Sequence, residues 1–314
     1  MELLELSLTL IGSMAGLVGL YYLGWVKIKE RLTNEKRIYQ LVENSKDIIY
    51  ICDVEPEMKF HYLSPSIEHI LGGNIVQKSF ENPYIIFERI HPEDFPMLYK
   101  KVTGDLDYSK PILQRWKDDY GEFHWFEEYC TPIFEKGIMT GIQGIIRNID
   151  DKVKLQRELE YKANHDSLTG VYNRDYFERM MKQFDQKEDR SVGIILCDMD
   201  DLKLINDQYG HKKGDEVIKV IGQLLDQFSS PYVTVTRIGG DEFAIFIEGK
   251  EQDVDRIRQQ INETFYQFNE QKETIKINMS IGMAHVPSSF SNMEMLYVLA
   301  DQHMYKIKNA RKSV

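Results

Sequence analysis

The stretch TRIGGDEFAIF (Thr236–Phe246) sets two carboxylates, Asp241 and Glu242, directly after Gly239 and Gly240. The flanking runs YVTVTRI and FAIFI are β-branched or aromatic and of strand length. The glycine pair therefore reads as a hairpin turn whose two residues take positive φ. Acids set against a buried hairpin are unfavourable unless a cation neutralises them. A second acidic group closes another apolar run, SVGIILCDMDD (Ser191–Asp201), which ends in Asp198, Asp200 and Asp201. Asp198 at the end of one central strand and Asp241 at a neighbouring hairpin tip can face one point above a sheet. Converging hard oxygens with room for phosphates suit Mg²⁺. Two such ions about 3.5–4 Å apart can activate an attacking hydroxyl and stabilise the leaving oxygen of an in-line displacement. The glycines also let a phosphate chain approach the backbone with no Cβ in the way. The whole reads as a metal and nucleotide site.

The elements that must position these acids follow from the pattern around them. After the first acidic group comes LKLINDQYGHKKGDEVIKVIGQLLDQF, in which Gly210 reads as a stop and Gly214-Asp215 as the opening of a new helix. The stripe Val217, Ile218, Ile221, Leu224 and Leu225 has helical spacing and reads as core. A helix from about Glu251 to Asn269, the strand TIKINMSIGMAHV and a last helix from about Asn292 to Asn309 complete the unit. Two βαβ-like passages around a central hairpin imply an α+β fold, a mainly antiparallel sheet flanked by helices.

Three separated stretches, DSLTGVYNR (Asp166–Arg174), CDMDDLKLINDQYGHKKGDEV and RIGGDEF, closely resemble the GGDEF family of diguanylate cyclases. The resemblance runs from about Tyr161 to the C-terminus. It implies a nucleotidyl-cyclase-like fold, two Mg²⁺ (or Mn²⁺) ions per active site, and a homodimer that condenses two GTP into cyclic di-GMP and two pyrophosphates. By this resemblance Asp198 and Asp241 are metal-binding carboxylates, with the Met199 carbonyl as a third oxygen. Glu242 binds a metal or takes the 3′-hydroxyl proton. Asn206 and Asp215 read guanine, whose N1–H and N2–H donors suit a carboxylate in a way adenine does not. His211 borders the nucleotide. Lys203 offsets charge on the α-phosphate, and Lys308 and Lys312 bind phosphate.

Other readings stand beside these. Asp200, Asp201 and Asp207 read as helix caps or surface acids, Lys203 can be a surface lysine and His211 a loop histidine. For Asp198, Asp241 and Glu242 a purely structural role is the weaker alternative, because buried unpaired acids are expensive. Two departures from the family pattern bear on GTP binding. Leu202 replaces the usual Phe, and the closing IKNARKS puts Lys312 where an arginine normally grips phosphate. Lysine lacks the forked bidentate geometry. The product-binding Arg-x-x-Asp of many family members reads SPYV (Ser230–Val233) here.

The rest of the chain frames this site. With 314 residues, 42% of them hydrophobic, it is long enough for two domains and not generally disordered. A net charge of −11 argues against a nucleic-acid platform. Cys52, Cys130 and Cys197 have no metal-type spacing and fit a reducing compartment. LSLTLIGSMAGLVGLYYLGWV (Leu6–Val26) is uncharged and long enough to cross a bilayer, with Lys27, Lys29 and Arg31 following at once. The positive-inside bias puts the bulk of the chain in the cytoplasm. The start is not basic and there is no small-x-small cleavage site, so the segment reads as an uncleaved anchor. Gly12 and Gly16 form a GxxxG that would allow close helix pairing, although small residues are common in membrane helices.

Five strand candidates follow: DIIYICDV, MKFHYLS, ILQRWKDD, EFHWFEEYCTPIF and IMTGIQGIIRNI, with PSIEHILG and HPEDFPMLYKKV as short helices between them. With the HPED helix start and the closing GIQGIIRNIDDK, this order resembles a PAS sensor domain. It lacks the reactive-cysteine motif of flavin-binding light sensors, and His61, His69, His91 and His124 read as surface or core residues. The expected organisation is a short extracytoplasmic tail (1–5), a transmembrane helix (6–26), a stalk (27–37), a PAS domain (38–151), a linker helix (152–165) and a GGDEF domain (166–314). The function that follows is a membrane-anchored diguanylate cyclase regulated through its PAS domain. The alternatives are a non-catalytic module binding GTP or cyclic di-GMP, and a membrane scaffold with no nucleotide dependence.

Overall fold

The computed structural model describes the backbone of residues 2–271 and 276–312, and the side chains of 21–271 and 276–311. Its contacts divide the chain into Met1–Leu155 and Gln156–Val314. The first unit opens with one unbroken helix, α1 (Glu2–Glu43), so the expected anchor and stalk are a single element. Most of the anchor, Leu6–Val26, falls on residues whose side chains lie outside the described ones. Among the described residues no helix is long and apolar enough to cross a membrane.

The strands β1 (Ile48–Asp53), β2 (Lys59–Leu63), β3 (Ile112–Lys117), β4 (Phe123–Glu135) and β5 (Ile138–Asn148) form one antiparallel sheet in the order β2-β1-β5-β4-β3. Between β2 and β3 come the helices α2 (Ser66–Leu71), α3 (Ile75–Glu81) and α4 (Phe95–Thr103), with 3₁₀ turns at Pro83–Arg89 and Pro92–Asp94. The segment α3 to Arg89 carries no clear sequence period. It is ordered by tertiary burial of Ile75 and Ile86 in the core. That core holds a charge: Glu128, fully buried, accepts bonds from Lys101 at 3.0 and 3.1 Å, from Gln114 at 2.7 Å and from the Tyr50 hydroxyl. A buried pair of this kind is tolerable only because the lone pairs are satisfied. His61 pairs with Asp53, and His124 stands between Asp150 and Asp118. All three cysteines are buried, and burial pushes the thiols up, Cys52 to about 11 and Cys130 to about 12.

Helix α5 (Asp150–Asn164) buries no residue and leads from the first unit into the second. There α6 (Arg174–Gln186), β6 (Val192–Met199), α7 (Leu202–Tyr209), α8 (His211–Asp226), β7 (Val233–Arg237), β8 (Glu242–Glu248), α9 (Glu251–Glu270), β9 (Met279–Val286) and α10 (Met293–Lys312) follow. The sheet order is β7-β8-β6-β9 and every pair is antiparallel. The two βαβ-like passages are therefore split: β8 lies between β6 and β7, and β6 lies between β8 and β9. This is the ferredoxin-like arrangement.

Helices cover both faces. Ile195, Cys197 and Met199 point to α8 and α9, while Val192, Ile194 and Leu196 point to α6 and α10. Burial on both faces explains why β6 reads as a continuous apolar run rather than an alternation. Helix α8 starts at His211, one turn before the expected Gly214, because Gly210 (φ 83°) already makes the break after α7. Part of the strand expected at TIKINMSIGMAHV lies outside the described residues, and β9 itself begins at Met279.

Candidate active site

Asp198, the penultimate residue of β6, pairs in register with Glu242 on β8 and with Ser280 on β9. Residues opposed across an antiparallel ladder project from the same face. Asp198 therefore shares the α6–α10 side of the sheet with Glu242. Lys308 in α10 reaches Asp198 Oδ1 at 2.5 Å. Met199 turns its side chain into the opposite core, so only its carbonyl is free to serve a ligand, and its N–H donates to the Asp241 carbonyl at 3.1 Å.

The acids differ in burial. Asp198 is 6% exposed, Asp241 is half-buried and Glu242 is exposed. The expectation of three buried acids holds for Asp198 alone, because Glu242 opens β8 at the rim of the sheet. The charge crowding is nonetheless real. Burial pushes the Asp198 carboxyl up, with Asp241 and Asp200 adding to it and Lys308 opposing. Glu242 is raised by desolvation and by the charges of Asp198 and Asp241. Burial disfavours the charged form of Lys308, yet its bond to Asp198 and the nearby acids raise it on balance.

The glycines act otherwise than a two-residue turn requires. Neither Gly239 nor Gly240 takes positive φ. Four residues separate β7 from β8, and the loop is closed by Ile238 N–H to the Glu242 carbonyl at 2.9 Å. A Cβ at Gly239 would lie 2.5 Å from Glu242 Oε2, so a side chain there would push the Glu242 carboxylate aside.

Arg237 holds this loop. Its guanidinium donates to the Gly239 carbonyl at 3.1 Å, to the Gly240 carbonyl at 2.8 Å and to Asp166 at 3.0 Å. Asp166 also accepts from the Thr169 N–H and hydroxyl, so the turn after α5 and the GGDEF loop share one clamp. The pairing of residues 71 apart has no signal in sequence beyond the presence of both motifs.

A second group forms around the α7–α8 corner. Asn206 lies against the first turn of α8, and its buried Oδ1 has no hydrogen-bond partner. Gly214 leaves space for it, because a Cβ at 214 would stand 2.0 Å from that oxygen. His211 and Asp215 in the same turn and Lys203 in the first turn of α7 are exposed. Asp201 takes φ 63° at the α7 N-cap without a side-chain cap bond, and Asp207 is exposed on α7. Asp200 is no loose surface acid: Ser280 Oγ donates to it at 2.9 Å and Arg311 at 3.0 Å. The side chain of Lys312 lies outside the described residues. The structure thus brings Asp198, Glu242 and Lys308 together, with the Asp241 backbone beside them, and sets Asn206 against the turn bearing His211 and Asp215. Among the described residues no three His, Cys, Asp or Glu side chains form a ready-made metal cage.

Residues 163–313 match the family described as "Diguanylate cyclase, GGDEF domain". The C-terminal unit is a GGDEF domain. The chain is 34% identical over 168 residues to the uncharacterized protein YhcK of Bacillus subtilis, covering 51% of this chain and 46% of that protein. It is 31% identical over 161 residues to the diguanylate cyclase DgcS of Shewanella oneidensis, 48% of this chain and 52% of the relative. With the cyclic di-GMP phosphodiesterase PdeB of the same organism it shares 31% identity over 280 residues, 84% of this chain but 32% of PdeB. The chain therefore spans from a third to about half the length of these curated relatives.

Proposed function

We propose that this chain is a diguanylate cyclase that works as a homodimer. Each GGDEF domain binds one GTP, and two domains face each other. The 3′-oxygen of one nucleotide bonds to the α-phosphorus of the other, the bond to the β-phosphate breaks, and pyrophosphate leaves. The second half-reaction closes cyclic di-GMP.

The observation that carries this reading is the meeting of Asp198, Glu242 and Lys308 at the end of the β6–β8 ladder, beside the GGDEF loop. Asp198, the Met199 carbonyl, Asp241 and Glu242 would hold two Mg²⁺ or Mn²⁺ ions, which supply Lewis-acid stabilisation of the phosphoryl charge. The fit rests on the hard oxygen donors gathered at the end of one ladder, where burial raises the Asp198 and Glu242 carboxyls and the neighbouring acids add to it.

If Glu242 is not itself a metal ligand, it is the carboxylate placed to take the 3′-hydroxyl proton. Lys308 reaches the phosphates from α10, with Lys203 and Lys312 as further cations. Asn206 and Asp215 read guanine, and His211 borders it. The orphaned Asn206 Oδ1 supports this assignment, since a buried acceptor without a donor is expensive and a guanine N–H would satisfy it.

The five-stranded antiparallel sheet with its helices between β2 and β3 supports reading the first unit as a regulatory PAS domain. An N-terminal membrane anchor with both units in the cytoplasm rests on the uncharged Leu6–Val26 stretch and on Lys27, Lys29 and Arg31 after it, and the unbroken helix α1 is compatible with it. The rival is a module that binds GTP or cyclic di-GMP without turnover, as the kinship with a phosphodiesterase keeps in view. Full-length protein in native membrane vesicles, given GTP and Mg²⁺, should release two pyrophosphates per cyclic di-GMP. Nucleotide binding with no product would establish the rival.

A further inference from the structure

The last turn of α10 carries two cations toward the acidic end of β6. Lys308 meets Asp198, and just under a turn later Arg311 Nη1 donates to Asp200 Oδ2 at 3.0 Å and to the Met279 carbonyl at 2.6 Å. Asp200 is pinned from its other side by Ser280 Oγ at 2.9 Å, and Ser280 is fully buried. Backbone bonds complete the frame. The Asp200 N–H donates to the Asn278 carbonyl at 2.9 Å, and the Met199 N–H to the Asp241 carbonyl at 3.1 Å. Immediately afterwards Asp201 turns left-handed at φ 63° to start α7. A non-glycine residue in that region is unfavourable by about 1–2 kcal/mol and persists only where its surroundings hold it.

We infer that Arg311 is a positioning residue: with Ser280 it clamps the Asp200 carboxylate and thereby fixes the orientation of the Met199 carbonyl for metal binding. The carbonyl lies between Asp198 and Asp200, each tied to the same helix by its own cation. Met199 has no polar side-chain atom with which to aim its own peptide. The aim comes from its two neighbours, and the Asp200 side is held by one guanidinium nitrogen that reaches both the Asp200 carboxylate, just past β6, and the Met279 carbonyl at the start of β9. Both bonds leave from the one nitrogen Nη1, and lysine at 311 would keep the charge on a compact, more strongly hydrated ammonium in place of the rigid guanidinium. Arg311 is about half exposed, at 49% of its side chain, so its removal leaves the cores of the unit untouched.

This inference rests on the proposed metal site, and the experiment separates the two. Mn²⁺ binding to the full-length protein, with a non-hydrolysable GTP analogue present, is followed by electron paramagnetic resonance. The Mn²⁺ concentration for half-maximal synthesis is measured in parallel. Arg311→Ala should weaken Mn²⁺ binding about tenfold, equivalent to about 1.4 kcal/mol, while kcat at saturating metal changes little. Arg311→Lys should recover part of that loss. In the double variant Asp200→Asn/Arg311→Ala, binding should be no weaker than in Asp200→Asn alone, because the two residues act as one unit. Wild-type Mn²⁺ affinity in folded Arg311→Ala, or losses that simply add in the double variant, would overturn the positioning role. Failure of the wild-type protein to bind Mn²⁺ at all would overturn the metal site itself.

Discussion

Gly214→Ala separates recognition from folding with a single methyl group. Gly214 is buried in the first turn of α8, where an added Cβ would meet Asn206 Oδ1 at 2.0 Å, Cγ at 3.0 Å and Nδ2 at 3.4 Å. Ordinary contact begins at 3.4 Å, so the amide oxygen has to withdraw by about 1.4 Å. The obstacle is the end of a side chain rather than backbone, and Asn206 can rotate away without moving α7. Alanine in turn favours helix over glycine by up to about 1 kcal/mol. The unit should therefore melt at the same temperature as wild type or a few degrees higher, at about 2–4 °C per kcal/mol for a unit of this size. Recognition should suffer instead. If Asn206 pairs with guanine, displacing it forfeits about 1–3 kcal/mol, or a drop of roughly five- to 150-fold in kcat/KM for GTP. Thermal melting and GTP titration of the same preparation test both halves, with Asn206→Ala as the comparison. A folded Gly214→Ala enzyme with unchanged kcat/KM would refute the role given to Asn206. A loss that tracks a falling melting temperature would refute the claim that the side chain can yield.

Four further outcomes follow from the same geometry. Asp241→Asn keeps the shape of the loop but removes one anionic oxygen, and cyclic di-GMP synthesis should fall by at least about a hundredfold, as for loss of a transition-state charge partner; near-normal turnover would sink the metal assignment. The Glu242 carboxyl is raised by desolvation and by Asp198 and Asp241, so its ionised form is disfavoured in the folded state. That penalty is absent below the ordinary value of 4.5 and sets in as pH rises through the raised value. Glu242→Gln should thus melt higher than wild type at pH 7, with the gap closing toward pH 4, and a gap constant with pH would contradict the shift. Arg237→Ala releases Asp166 and two loop carbonyls, which should lower stability by about 2 kcal/mol and depress turnover. Equal melting temperatures would show the clamp to be idle. Finally, Ser230 and Val233 pair with each other through backbone bonds, and Tyr232 is exposed, so this corner offers neither a guanidinium nor a carboxylate. Added cyclic di-GMP should give no submicromolar non-competitive inhibition, an affinity that needs about −8 kcal/mol or better.

Much of the candidate site is legible in the amino-acid sequence alone, because its chemistry is concentrated in short stretches. The acids at 198–201 and 241–242 stand at the ends of strands whose residues announce themselves by apolar character and β-branching. The stripe from Val217 to Leu225 places α8 by its period alone. Tertiary structure decides what no local pattern can encode. The glycines of the signature read as a two-residue turn. The register of β7 against β8 leaves four residues to close the hairpin instead, so neither glycine needs positive φ. Likewise Asp198, Asp241 and Glu242 read as buried, yet Glu242 sits at the rim because β8 begins there. The partners of the acids are hidden by distance along the chain. Lys308 reaches Asp198 across 110 residues, Arg311 reaches Asp200 across 111, and Arg237 reaches Asp166 across 71. Side-chain chemistry and spacing determine which groups can react. Which cation meets which carboxylate is set by the strand order β7-β8-β6-β9 and by α10 folding back over β6, a consequence of burying both faces of one sheet.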